Sequence, residues 1–205
     1  TDYPWLDDIL NILEKYSIKF SVSSMRMDGI SPRLLMLLKK SGQKTFTVAP
    51  EGGSQKIRDI LGKDLKEKDI ENALKMGKKA GFDRIKMYFI YGIEEENEED
   101  LIAIKELADF ARSLGYTKIT LSLNPLIPKP KTPFEKRTML SFHELRERFA
   151  FLKRILKGYR ITFEGIRESI IQHKLAFADK FLSKEWIEIY KKFGAKELKR
   201  QILKS

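Results

Sequence analysis

Residues Arg84–Leu101 read RIKMYFIYGIEEENEEDL. Ile85, Met87 and Phe89 alternate with Lys86, Tyr88 and Ile90, the period of two that marks a strand with one buried face. Gly92 stops the strand. Asn97 has a side chain suited to cap a helix, and the acidic residues around it suit the positive end of the helix dipole. The stretch is therefore a strand, a loop and a helix start. The same unit recurs on both sides: TFTVAPE (Thr45–Glu51) before it and KITLSLN (Lys118–Asn124) after it, with FSVSSM (Phe20–Met25) and RITFEG (Arg160–Gly165) as outer strands.

Helical segments separate these strands. Strands alternating with helices argue for βαβ units and a parallel sheet, and right-handed crossovers then gather the loops after the strands on one rim. Phe20/Val22, Phe46/Val48, Ile85/Met87/Phe89 and Ile119/Leu121/Leu123 share a greasy face suited to carry the helices. Ser21/Ser23, Thr45/Thr47/Glu51, Lys86/Tyr88 and Thr120/Ser122/Asn124 share the other. A closed eight-stranded barrel fills its interior with Val, Ile and Leu. A polar inner face instead predicts an α/β fold that is an open, partial (β/α) TIM-like barrel lining a wet cavity, followed by a helical extension at the C-terminus.

The helices carry their own punctuation. Pro4–Tyr16 is amphipathic. Ser31-Pro32 is a cap followed by proline at the first helical position, with Leu34, Leu35, Leu37 and Leu38 as the buried stripe and Gly42 as the stop. Ser54–Leu61 and Asp69–Ala80 follow, the latter closed by Gly81. The Asn97 helix runs to about Leu114 and closes at Gly115. Ser141–Glu144 is a capping box. In the tail, Ser183 is read as a cap and Gly194 as a break.

At 205 residues the chain is long enough for a sizeable core, and its 42% hydrophobic content is ordinary for a globular protein. There is no cysteine and there are two histidines, His143 and His173, which excludes a disulfide framework and a Cys-ligated metal or cluster built from this chain alone. No signal peptide or apolar span of membrane length is visible, so a cytoplasmic location with no membrane partner is expected. The net charge of +11 fits either a polyanion such as RNA or a Lys/Glu-rich surface of thermophile type. The chain opens TDYPWLDDIL without an initiator methionine and reads as a piece of a longer protein.

Three strand ends have motif character. In Val48–Ser54 (VAPEGGS), Gly52 and Gly53 permit close approach or positive φ, and Ser54 caps the next helix, whose first amides favour an anionic or hydroxyl-bearing ligand. Glu51 offers acceptors for two hydroxyls such as a ribose diol, and Lys63 can return a positive charge to a carboxylate. Gly92 allows a second close approach. The proline-stiffened NPLIPKPKTPFE (Asn124–Glu135) could offer a shelf to a flat base. The plain alternatives are a tight turn with a surface salt bridge at the first site, structural carboxylates at the second and a rigid empty loop at the third.

SMRMDGISPRLLMLLKKSG, TFTVAPEGGSQKIRDILGKDL, IKMYFIYGIEEENEEDL and PLIPKPKTPFE, in this order between about Phe20 and Phe134, together resemble the radical SAM superfamily. The resemblance is to its elongator/methylthiotransferase/nitrogenase-cofactor type of domain, and within it to an uncharacterised branch that often carries a cobalamin-binding-like domain. It implies an open six-stranded barrel, of which residues 1–140 would supply strands 3–6 and residues 141–205 an extra helix, a short strand and a helical tail. It implies that Glu51 contacts the ribose of S-adenosylmethionine and Lys63 its methionyl carboxylate, with Gly53, Ser54, Tyr88, Gly92 and Ile127 in the same nucleotide site. Tyr88 departs from the acidic residue usual at its position. In the loop usually written Gly-Leu-Pro-x-Glu, Gly92 and Glu96 match and Glu94 replaces the proline.

The family's cluster motif CxxxCxxC is absent. The resemblance therefore implies a parent enzyme that cleaves S-adenosylmethionine at a [4Fe–4S] cluster to form a 5′-deoxyadenosyl radical, with cobalamin as an optional further cofactor. This chain would be an inert portion lacking the cluster ligands, or a paralogue without them. Ser23, Lys86 and Asn124 are the candidate wall of the substrate cavity, for a small-molecule or RNA substrate, and no residue is assigned to a metal. Other classes remain. One is a non-catalytic RNA- or protein-binding module using the basic C-terminal helices. Another is a metal-free isomerase or lyase whose obvious acid/base pair is Glu51 with Lys86. An open barrel edge invites pairing with a second copy.

Overall fold

The computed structural model describes residues 3–204. Strands β1 (Thr45–Glu51), β2 (Arg84–Tyr91), β3 (Lys118–Pro125) and β4 (Arg160–Phe163) form a single four-stranded sheet in the order β1-β2-β3-β4. All three pairings are parallel. Helices α1 (Leu6–Lys15) and α2 (Pro32–Lys40) precede the sheet. Helices α3 (Gln55–Ile60) and α4 (Glu67–Lys79) connect β1 to β2, α5 (Glu98–Ser113) connects β2 to β3, and α6 (Phe142–Ile155) connects β3 to β4. Helices α7 (Ile166–Phe177) and α8 (Lys180–Lys204) form the extension. This is the expected open, partial barrel, and its sheet runs beyond residue 140 to include β4.

The two sheet faces separate as the alternation requires. Phe46, Val48, Met87, Phe89, Leu121 and Leu123 are fully buried beneath the helices. Each such side chain contributes roughly 1.5–3 kcal/mol of transfer free energy, so this face dominates the stability of the sheet. On the opposite face Thr45, Lys86, Tyr88, Thr120 and Asn124 are half-buried, while Thr47 and Ser122 are buried.

Three local expectations are corrected. Phe20–Met25 is extended but is not a strand. Its one bridge is Met25 to Val48, through the Met25 amide on the Thr47 carbonyl at 3.0 Å. The Val22 amide is bound instead by the Gln43 side chain at 3.0 Å. Ser183 does not cap α8. The Asp179 carboxylate does, accepting from the Leu182 amide at 2.8 Å. Helix α4 begins at Glu67, two residues before Asp69, because the Asp69 side chain reaches back to the Lys66 amide and closes the first turn. Gly194 does break the tail, at φ 79°.

Tail cations are partly matched by acids on the same helices: Lys191 with Glu188, Arg200 with Glu197, and Lys199 near Glu168. No helix of the described residues is long and apolar enough to cross a membrane.

Helix α4 lies close on the sheet at Gly77, where an added Cβ would stand 2.5 Å from the Tyr116 hydroxyl and 2.6 Å from the Phe46 ring. The Tyr116 hydroxyl donates to the Leu74 carbonyl at 2.9 Å, so neither neighbour can retreat freely. Gly77→Ala gains up to about 1 kcal/mol in helix propensity and loses about 1–3 kcal/mol to overpacking. A net loss of about 1–2 kcal/mol in urea unfolding is expected. A stabilised variant would show that α4 is free to shift.

Candidate functional site

The C-terminal end of β1 is the most constrained backbone in the chain. Pro50 has no amide to donate, and the β1–β2 register slips there: Val48 pairs with Met87, and the next pair is Glu51 with Phe89. Glu51 sits at φ 69°, with the Gly52 amide donating across it to the Pro50 carbonyl at 2.9 Å. An i→i+2 hydrogen bond over a positive φ is the strained form of the γ-turn, rare for a residue with a side chain. The positive φ thus falls on Glu51 rather than on the glycines after it. Gly52 and Gly53 are needed for a different reason. A Cβ on Gly53 would lie 2.4 Å from the Asp100 carbonyl, and one on Gly52 would lie 2.6 Å from Ile57. Their close approach is to α5 and α3.

Arg58 holds this turn from beneath and is fully buried. Its guanidinium donates to the carbonyls of Gly52 at 3.2 Å, Gly53 at 3.0 Å and Leu65 at 3.1 Å, and to the Gln55 side chain at 3.2 Å. Burial lowers its pKa from the ordinary arginine value, and Glu67, 3.7 Å away, works against that. Nothing in KIRDILGK distinguishes Arg58 from a surface arginine, and the sequence reading missed it. The signal available was its position one residue after the buried Ile57 in a helix too short to hide two large side chains on one stripe.

Helix α3 ends in a Schellman motif: the Gly62 amide bonds the Asp59 carbonyl at 3.0 Å and the Lys63 amide bonds the Arg58 carbonyl at 2.9 Å. That turn fixes Lys63. Its ammonium reaches Glu51 at 3.1 Å, so the two residues chosen for the nucleotide meet. Both line a cavity of about 390 Å³ together with Ala49, Leu65 and the Ser24–Asp28 segment. The Glu51–Lys86 pair that a metal-free isomerase requires is not formed. Lys86 instead lies over the Tyr88 ring, 4.5 Å from its centre.

The other chosen residues have these positions. Ser54 caps α3 by accepting from the Ile57 amide at 3.2 Å, and it donates to the Asp100 carboxylate at 2.6 Å. Lys56 holds the same carboxylate at 2.6 Å. Burial works to raise the Asp100 pKa, but the hydrogen bonds from Lys56, Ser54 and the Asn97 amide outweigh it and leave the group below the ordinary value. The front of α3 is therefore already served by a carboxylate of this chain. Tyr88 and Asn124 are on the polar sheet face beside Ser122 and Ile90 respectively, and Ser23 is exposed beyond the sheet edge. Ile127 is half-buried, in a loop pinned by the Leu126 amide on the Tyr91 carbonyl and by His173 Nδ1 at 3.0 Å from the Pro128 carbonyl. A carbonyl can only accept, so that nitrogen carries the proton.

Gly92, at φ 83°, donates its amide to the Glu96 carboxylate at 2.8 Å, and a Cβ there would strike Leu145 at 2.5 Å. Glu96 also accepts from Arg148 of α6 at 2.9 Å, and Arg148 donates to the Ile93 carbonyl at 2.5 Å. Burial raises the Glu96 pKa to about 6, against the pull of the Gly92 amide and Arg148.

This geometry has counterparts in known proteins. The sequence model of the radical SAM superfamily matches residues 1–108. The chain belongs to the radical SAM superfamily. Over 188 residues this radical SAM chain is 36% identical to an uncharacterized protein of Methanocaldococcus jannaschii, an alignment covering 89% of the chain and 40% of that relative. It therefore spans well under half of the relative's length. Its backbone is similar to the radical SAM enzyme coproporphyrinogen III oxidase (HemN) of Escherichia coli, with a TM-score of 0.51 at 16% identity over 73% of this chain and 36% of that one. At that identity the likeness speaks for the fold.

Two outcomes follow for the radical SAM chain. Arg58→Met leaves three buried carbonyls without their donor, and a loss of roughly 3–5 kcal/mol in denaturant unfolding is expected. A loss below about 1 kcal/mol would mean that water replaces the guanidinium. Glu96 binds a proton more tightly folded than unfolded, so its contribution falls as pH rises from 4.5 to about 6. The loss through that window is worth about 2 kcal/mol. Glu96→Gln should flatten this part of the stability–pH curve measured by denaturation at pH 4.5 and 7. An unchanged slope assigns it to other groups.

Proposed function

We propose that this chain supplies the part of a radical SAM active site that binds S-adenosylmethionine and faces the substrate. The observation that carries this reading is the Glu51–Lys63 pair, 3.1 Å apart at the mouth of the cavity beyond β1. Glu51 provides acceptors for the two ribose hydroxyls, and Lys63 a cation for the methionyl carboxylate. Lys63 is a point charge where an arginine would give a two-pronged contact, so it sets charge more than orientation. The two ions are partly exposed, and such a pair is worth about 1 kcal/mol or less. Exchanging it for two ligand contacts therefore costs little. The strained turn at Glu51 keeps that carboxylate aimed at the cavity before any ligand arrives.

S-adenosylmethionine bound at a reduced [4Fe–4S] cluster supplies a radical that abstracts hydrogen from a substrate. The residues present fit the nucleotide and not the cluster, because the chain has no cysteine. We place the cluster ligands outside these 205 residues, in a longer parent, and assign no residue here to them. The half-buried polar face bearing Lys86, Tyr88 and Asn124 then forms the substrate side of the chamber. Gly53, Ser54, Gly92 and Ile127 act as frame, setting the height of the two loops that border the nucleotide.

The reading is tested in the intact parent by isothermal titration with S-adenosylmethionine. Lys63→Ala should weaken binding about tenfold, equal to about 1.4 kcal/mol, and Lys63→Arg should restore it. An unchanged affinity in Lys63→Ala removes this residue from the site.

A further inference from the structure

The opposite end of the sheet has a different character. Strands β2, β3 and β4 each begin with a cation: Arg84, Lys118 and Arg160. Arg84 and Lys118 are direct partners across the β2–β3 pairing. Lys86 and Arg160 are the two partners of Thr120, on either side of it. Arg84, Lys118 and Arg160 thus gather at the strand starts, with Lys86 one step further along β2 and turned over the Tyr88 ring. Like charges side by side on neighbouring strands destabilise a sheet. Something must offset that here, or the cost is simply carried.

No ion pair among the described residues offsets it. Among the described residues, Arg84, Lys118 and Arg160 form no ion pair with any carboxylate, while the nearby acids are engaged elsewhere. Asp83 is held by Lys78 at 2.5 Å. Asp109 is held by Lys105 and by the Tyr159 hydroxyl. The three strand-start cations instead line a cavity of about 420 Å³, joined by Arg112 from the end of α5. Arg112 is itself positioned. Its guanidinium stacks 4.0 Å from the Tyr159 ring centre, and one nitrogen donates to the Gly158 carbonyl at 3.1 Å, leaving its remaining donors for the cavity. A fringe of scattered surface lysines would show neither the shared open cavity nor the stacked, pinned arginine.

We propose that this cavity is a binding site for a small molecule bearing oxyanion groups, phosphoryl or carboxylate, separate from the nucleotide site at the other end of the strands. Three arginines offer planar forks that match such groups with paired hydrogen bonds. Lys118 adds a point charge, and the Thr120 and Thr45 hydroxyls can complete the shell. The volume falls in the range of small-ligand pockets, which favours a compact anion over a nucleic-acid strand. The proposal needs neither a cluster nor S-adenosylmethionine, so it survives if the catalytic reading fails.

The test uses the chain as it stands. Inorganic pyrophosphate is titrated at low salt and followed through backbone amide shifts, with citrate as comparator. Saturable shifts confined to residues 84, 118–120 and 158–160 are expected, weakening as salt screens the charges. The double variant Arg84→Gln/Arg160→Gln should bind at least tenfold more weakly while its remaining spectrum stays unchanged. Lys118→Gln should raise the melting temperature without anion and shrink the rise that pyrophosphate produces. Tighter pyrophosphate assigns a phosphoryl ligand, and tighter citrate a carboxylate one. Shifts that do not saturate, that scatter over the lysines of α8, or that persist undiminished in the double variant would overturn the site.

Discussion

The buried guanidinium of Arg58 is the interaction on which the Glu51 end of the fold depends. Burying a charge is costly unless every donor finds an acceptor. Here the acceptors are main-chain carbonyls on both sides of the α3 loop, at Gly52, Gly53 and Leu65. The backbone before the helix and the backbone after it are tied to one rigid, planar group. The strained turn at Glu51 runs straight into the first tie, and the Schellman turn that sets Lys63 lies between the two. Their 3.1 Å meeting follows from that frame and is not what holds it together. A weak, partly exposed ion pair can then remain available to a ligand without endangering the fold.

The same logic applies at the next loop. Glu96, buried and shared between the Gly92 amide and Arg148, ties the end of β2 to α6. Asp100 ties the start of α5 to Ser54 and Lys56 of the α3 segment. Successive strand ends are therefore cross-linked by carboxylates that belong to the scaffold. Their abundance in IEEENEED is accounted for by helix capping and loop fixation, without a catalytic role for each.

Much of this architecture was legible in the sequence because its signals are periodic. The alternation in β1, β2 and β3 gave both faces correctly, and Asn97, Ser31 and Ser141 cap helices where their side chains predict. What was not legible is what depends on contacts between distant segments. Phe20–Met25 alternates as well as any strand, but it meets β1 at the Met25–Val48 bridge alone while the Gln43 side chain takes the Val22 amide, and no periodicity shows that. The crowding at Gly53 comes from a helix more than forty residues downstream in sequence, so the close approach read for the glycine pair could not be assigned to packing against that helix. Arg58 is one of three charged residues in the six-residue QKIRDI, and nothing there sets it apart. Glu51 and Lys63 were singled out by their chemistry at a strand end and by family resemblance, and their meeting depends on a strained turn at Glu51 and a helix-ending turn before Lys63.

The two ends of the sheet differ in how their charges are satisfied, and that difference is informative. At the C-terminal end, Glu51, Glu96 and Asp100 each have a cationic partner within 3.1 Å, and two of the three are buried. Charges there are consumed in building loops, except for the one pair exposed enough to be exchanged. At the N-terminal end Arg84, Lys118 and Arg160 stand together with no ion pair of their own, the nearby Asp83 and Asp109 being engaged by Lys78, Lys105 and the Tyr159 hydroxyl. A net charge of +11 spread for solubility would place like charges apart, since repulsion falls with distance and water screens the remainder. Concentrating them on adjacent strands around one open cavity raises the local potential instead, which is the arrangement that captures an anion.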